Sequence, residues 1–202
     1  MDLKNIISQL ELNYKILNMY QYGSRVYGCT NPNSDYDFMV VVEGDFPETH
    51  ITIGDAEITI YSEIQFQKMI DEHEISALEC LFVQEEFIIK AAKHFDFALD
   101  LKKLRESLSH KSSNSWVKAN KKFSVEKDFN PYTARKSLFH SFRILYFGIQ
   151  IATYGKIINY QEVNSLLYEI LNNRSEKWED YKVKYQSSYN IMRSKFREAC
   201  PK

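Results

Sequence analysis

Cysteine is scarce, with three in 202 residues and no closely spaced pair. That excludes a disulfide framework and a zinc set of paired cysteines, and a reducing compartment, the cytoplasm, is the expected setting. Long apolar runs are missing too. None approaches the ~20 residues of a membrane span, and the N-terminus has no signal-peptide pattern. Neither sign of charge dominates: 26 Lys and Arg face 27 Asp and Glu, for a net charge of −1. A surface coated with basic residues is excluded, although a local patch for nucleic acid is not. Internal repeats and low-complexity segments are absent. What remains is ordinary globular material, 44% hydrophobic with a high 14% of aromatic residues, enough for one compact domain or two small lobes.

One stretch organises the chain. Residues 20–42 read Tyr-Gln-Tyr-Gly-Ser-Arg-Val-Tyr-Gly-Cys-Thr-Asn-Pro-Asn-Ser-Asp-Tyr-Asp-Phe-Met-Val-Val-Val. A hydrophobic lead-in ends at Gly23-Ser24, and a loop of turn formers follows. Asp35 and Asp37 then open the apolar run Phe38 to Val42, which predicts a buried strand. Period-2 geometry puts both carboxylates on one side of its leading end. Two carboxylates that close repel unless a cation or a shared proton lies between them, and Mg2+ is held by one or two carboxylates plus phosphate oxygens. Gly23 permits close approach of backbone to a ligand, and consecutive N–H groups at a turn make an anion nest. The stretch therefore combines a phosphate cradle with a metal-binding pair.

Gly-Ser, ten residues, then Asp-Tyr-Asp leading a hydrophobic strand resembles the signature of the DNA polymerase beta-like nucleotidyltransferase superfamily. The nearest likeness is to its small stand-alone bacterial and phage members with a helical C-terminal half. The resemblance implies that Gly23 and Ser24 contact a nucleoside triphosphate; Arg25, directly after them, is placed to touch it as well or to form a structural ion pair with an acidic neighbour. It implies that Asp35 and Asp37 bind two Mg2+ or Mn2+ ions, with a third acid on a neighbouring strand. It further implies transfer of a nucleoside monophosphate to an acceptor hydroxyl, with release of pyrophosphate. ATP is the donor that family habit suggests. The acceptor is open among a tRNA end, another RNA, a protein hydroxyl and a small molecule. Oligomeric state is open as well.

Coarse patterning predicts an α+β protein. A small mixed sheet with flanking helices fills residues 1–85 as the catalytic core, and residues 86–202 form a helical substrate-binding lobe, with the nucleotide between them. Residues 2–13 read as a helix, 15–22 as a strand, and 50–53 and 57–61 as two strands around Gly54-Asp55. In the last of these Glu57, Thr59 and Tyr61 share a face, which makes Glu57 the candidate third acid. The family position is usually Asp, and Asp55 is the alternative. Ser62 with Gln65 predicts a capping box, and Ser76 to Phe82 a second short helix. From Ile88 onward the period is helical: Lys90 to His110, a break at Ser112-Ser113-Asn114, then Trp116 to Lys127. Asn130-Pro131 predicts the start of a long helix that Gly155 closes. Residues 163–171 and 175–199 complete the set.

The long helix carries Lys136, His140 and Arg143 at four and three residues, beside its apolar stripe. These are candidate nucleotide-binding residues, since Arg suits phosphate and Lys and His add donors. Glu79 stands where the resembled stand-alone members carry a similar acidic residue; the plainer expectation, favoured here, is a carboxylate that pairs with Arg25 or a helix end. The Trp116–Phe123 segment, basic and aromatic, reads as an amphipathic helix ahead of a base-stacking surface. His73, His94 and His110 have no metal-ligand spacing. Two further readings stand beside the enzyme. One is a catalytically degenerate member acting as a nucleotide- or partner-binding regulatory or antitoxin module, suggested by Glu at the third acid position. The other is an RNA-binding accessory protein, against which the near-zero net charge speaks.

Overall fold

A computed structural model describes residues 2–31 and 34–201. The chain divides into two compact units, Met1–Ala98 and Leu99–Lys202.

The first unit opens with α1 (Leu3–Glu11), capped by Asp2, whose carboxylate accepts from Asn5 N. Strands β1 (Ile16–Tyr22), β2 (Tyr36–Val42), β3 (Thr49–Ile53), β4 (Ala56–Ser62) and β5 (Ile88–Ala91) form a mixed sheet in the order β3-β4-β2-β1-β5. β2 and β4 are parallel neighbours, and every other pair is antiparallel. Alternation divides the sheet. Met19, Phe38, Val40, Val42, Ile58 and Ile60 form one apolar core with Ile6 and Leu10 of α1. The opposite set, which includes Tyr20, Tyr22, Asp37, Glu57, Thr59 and Tyr61, carries the polar groups. Tyr20 on this face stacks on Phe66 of α2 (Glu63–Asp71), with ring centroids 5.9 Å apart. The predicted capping box is present at Ser62 and Gln65, and α3 (Ile75–Leu81) follows.

The helical period expected from Ile88 does not begin there. Residues 88–91 are the edge strand β5, because the β-branched, half-buried Ile88 and Ile89 with Lys90 and Ala91 find an open neighbour in β1. The segment behind β5 is also fastened to the first unit. Asn18 accepts from Lys93 N at 3.0 Å and donates to Lys93 O at 2.9 Å, while Gln67 brackets Asp96 through its N–H and C=O. The first unit consequently runs to Ala98 rather than to the composition shift at 85.

The second unit is all helical: α4 (Leu101–Ser124), α5 (Pro131–Tyr154), α6 (Asn164–Asn172) and α7 (Trp178–Ala199). The break expected at Ser112-Ser113-Asn114 is absent, and α4 passes straight through. Ser112 is buried and donates from Oγ to Ser141 O of α5 at 2.7 Å, so its hydroxyl is satisfied outside its own helix and does not compete for that helix's backbone. Asn130 caps α5 through Thr133 N at 2.9 Å, and Gly155 ends it in the left-handed region at φ +73°. Trp116 is used in the core: it stacks on Tyr189 at 4.3 Å and meets Trp178 edge-on at 5.2 Å. No helix of the described residues is long and apolar enough to cross a membrane.

Candidate active site

Strand β1 runs out at Tyr22 opposite Asp37 of β2, and the chain turns at once into a single 3-10 turn, Gly23–Arg25. Gly23 sits at φ +80°, and a Cβ there would collide with Asp37 Oδ2 and lie 2.7 Å from its Cγ. The Gly-Ser turn is thus pressed against the second carboxylate of the motif, at a point only glycine can occupy. The carbonyls of Gly23 and Ser24 accept from Tyr27 N at 3.1 Å and Cys29 N at 2.9 Å, which closes the turn back on itself. Gly28, also at positive φ, follows it.

Arg25 faces the loop that carries the acids. Its Nη2 donates to Ser34 O at 2.8 Å and its Nε to Asp35 O at 3.2 Å, and the guanidinium lies 3.5 Å over the Tyr36 ring. The turn and the acidic strand are joined across the loop by one side chain. Asp35 itself is exposed and stands just ahead of β2, and Asp37 is half-buried within it.

Register places Glu57 of β4 directly beside Asp37. Its carboxylate is exposed and accepts from Thr52 Oγ1 of β3 at 3.0 Å. Asp55 is exposed in the β3–β4 turn, where its carbonyl takes Tyr36 N at 2.9 Å.

Behind the carboxylates is a buried polar layer that the sequence motif does not foretell. The Tyr22 hydroxyl is pushed above its ordinary pKa by burial, opposed by a hydrogen bond with Thr59 and reinforced by the charges of Asp37 and Glu79. Glu79 is 4% exposed and accepts from the Tyr27 hydroxyl at 2.6 Å. Glu79 thus takes a tyrosine partner, because α3 turns this residue inward, while Arg25 donates to the loop carbonyls. The alternation Asn18, Tyr20, Tyr22 was the available signal for Tyr22. Nothing local in the sequence pointed to Tyr27.

A turn pressed against Asp-x-Asp at the mouth of a β-strand is what the sequence motif anticipated, and comparison with known proteins decides its family. Residues 1–126 match the nucleotidyltransferase domain family. This chain belongs to the nucleotidyltransferases. Among solved structures it is similar to spectinomycin adenyltransferase AAD(9) from Enterococcus faecialis, determined with ATP and spectinomycin. The TM-score is 0.50 at 14% identity, over 96% of this chain and 98% of that one, a likeness of fold. A nucleotidyltransferase-like protein from Exiguobacterium sibiricum also matches, at TM-score 0.31 and 10% identity, over 98% of this chain and 72% of that one. No curated protein sequence matches.

Nucleotidyltransferase chemistry raises the question of metal. Among the described residues no three His, Cys, Asp or Glu side chains converge as a ligand set. Asp37 and Glu57 are register partners on β2 and β4, and the Glu57 carboxylate accepts from Thr52. The register sets Glu57, not Asp55, beside Asp37. Carboxylates on neighbouring strands suit a hard cation that takes its remaining oxygens from phosphate and water, rather than an all-protein cage.

The other candidates lie in the second unit, on α5. Lys136 is exposed with its ammonium 5.5 Å above the Tyr132 ring. Arg143 is 8% exposed and donates to His140 Nδ1 at 2.8 Å. The His140 imidazole is held well below its usual pKa by burial, then by the positive charges of Arg143, Lys111, Lys118 and Lys136.

Proposed function

We propose that this chain transfers a nucleoside monophosphate from a nucleoside triphosphate, ATP in the first instance, to an acceptor hydroxyl. The observation that carries the reading is the contact of Gly23 with the Asp37 carboxylate. It sets the Gly-Ser turn against the acidic strand end with no room for a side chain between them. The N–H groups that open a helical turn lack partners within it, so those of Ser24 and Arg25 would donate to phosphate oxygens. In the reaction the acceptor oxygen bonds to the α-phosphorus, the bond from that phosphorus to the pyrophosphate oxygen breaks, and the hydroxyl proton passes to a carboxylate of the acidic set. Asp35, Asp37 and, once released from Thr52, Glu57 would hold Mg2+ or Mn2+, which offsets phosphate charge and makes the acceptor hydroxyl more acidic. The cytoplasm is the setting in which such a donor and such free thiols coexist.

The acceptor separates into two arms. An RNA or tRNA 3′ hydroxyl is one. A small hydroxylated molecule is the other, by analogy with the spectinomycin that accompanies ATP in the AAD(9) structure. A second reading rests on the third acid position, where this chain has Glu57, bonded to Thr52, and the resembled family usually has Asp: a chain that binds nucleotide without turnover. The experiment follows α-labelled NTPs with Mg2+ or Mn2+ against total RNA and a small-molecule extract, beside an Asp35→Ala/Asp37→Ala control. Label transfer lost in the double variant supports the enzyme and names the acceptor arm. Nucleotide binding without transfer under every condition moves the conclusion to the non-catalytic reading.

A further inference from the structure

We propose that the second unit holds a binding site for a small organic cation, an ammonium on a hydrocarbon or aromatic body, in the cavity that α5, α6 and α7 line together. The inference goes beyond the transfer reaction and stands on the helical unit alone.

The cavity measures about 290 Å³. Ligand pockets typically span ~300–1,000 Å³, so the occupant is small. The floor is apolar and aromatic: Phe142, Val163, Tyr185 and Met192 are buried there, and Tyr146 is half-buried beside them. Phe142 and Tyr146 stand one turn apart on α5, roughly 100° round the helix from the Lys136, His140 and Arg143 face. None of those three lines the cavity.

One side of the rim already holds an ammonium, the protein's own. Lys184 Nζ donates to Glu169 Oε1 at 2.8 Å and lies 5.2 Å from the Tyr185 ring centroid. The Tyr185 hydroxyl donates to the same carboxylate oxygen at 3.3 Å. A carboxylate beside an aromatic ring is the arrangement by which this cavity holds a cation. The other side repeats the arrangement with no lysine or arginine in it. Glu162 and Tyr146 line the cavity together. The Tyr146 hydroxyl is pushed above its ordinary pKa by burial and then by the charge of Glu162. Among the described residues Glu162 forms no salt bridge. With Lys184 answered by Glu169, the charge left on the lining is that of Glu162.

Glu162 is also held in place. Gln150 is 4% exposed, and its Nε2 donates to Glu162 Oε2 at 2.8 Å and to Asn159 O at 2.9 Å. Its Oε1 accepts from Ile158 N and Asn159 N, so one buried amide ties the whole approach to α6 onto α5. Glu162 Oε1 accepts no bond among the described residues and is the oxygen to which a ligand ammonium would donate. The start of α6 does not compete for an anion here: Asn164 N and Leu166 N bond to Gln161 O and Val163 O, each at 3.0 Å. A carbon body on the cation would pack on Phe142 and Met192, which a hydrated metal ion cannot do.

The test follows the methionine methyl NMR signals of the full chain during titration with benzylammonium chloride at constant ionic strength. The Met192 signal is identified by its loss in Met192→Leu. Saturable movement of that signal is expected, with far less for benzyl alcohol, the neutral probe, and for benzoate, the anionic one. Glu162→Gln keeps an acceptor for Gln150 and removes the charge, and should weaken binding about two- to fivefold. Tyr146→Leu removes the ring face and should weaken it by about the same factor. Ser188→Trp, at an exposed position on the rim, should block entry and abolish the response, with the circular dichroism spectrum unchanged. An unmoved Met192 signal, equal movement with benzyl alcohol or benzoate, or wild-type binding in Glu162→Gln would overturn the proposal.

Discussion

Gly23 and Arg25 act on the same acidic strand from two sides. At φ +80° an alanine would be strained by roughly 1–2 kcal/mol for the left-handed backbone alone, before its Cβ meets Asp37. Gly23→Ala should therefore lower stability by at least that amount in urea unfolding, and nucleotide transfer should fall further than the stability loss explains. Arg25 donates to two carbonyls of the Asp-bearing loop. Each such bond contributes about 1 kcal/mol. Arg25→Lys keeps the charge but not the fork, so transfer should fall roughly tenfold for a loss of about 1.4 kcal/mol in positioning, while the circular dichroism spectrum is unchanged. Wild-type rates in Arg25→Lys would show that the latch is idle.

At the scale of the elements, α5 carries the most testable electrostatics. His140 has its folded pKa depressed, so the native state holds it neutral where the unfolded chain, near 6.5, already takes up a proton. The unfolded state binds more protons in that window, and stability rises with pH through it. The contribution is fully present above about pH 6.5 and is lost as pH falls from there toward the folded pKa. His140→Gln should flatten the denaturation midpoint between pH 6.5 and 5, with the wild-type chain as reference. On the same helix, Gly148 shows how packing overrides propensity. Alanine is favoured over glycine by about 1 kcal/mol in a helix interior, yet a Cβ at 148 would lie 2.5 Å from Phe196 of α7 and 2.9 Å from Leu108 of α4. Gly148→Ala should be destabilising, by roughly 1–3 kcal/mol of overpacking, measured by thermal unfolding.

For the whole molecule, the decisive prediction is linkage between nucleotide and cation. A ligand at 100 times its Kd adds about 2.7 kcal/mol to the stability of the state that binds it. ATP should raise the unfolding midpoint with Mg2+ or Mn2+ present and much less in EDTA, and Asp35→Asn/Asp37→Asn should remove the cation dependence. The sequence by itself determined the Gly-Ser and Asp-x-Asp pairing, the alternation that sets Glu57 beside Thr59 and Tyr61, and the caps at Ser62, Asn130 and Gly155. All of these are written in residues a few positions apart, where local geometry leaves few choices. Tertiary structure alone decided that residues 88–91 are a strand, since an edge strand is defined by the neighbour it finds. It decided that α4 runs through three polar residues, because Ser112 is satisfied by another helix. It also decided that Glu79 meets Tyr27. Those contacts join residues tens of positions apart, and only packing brings such residues together.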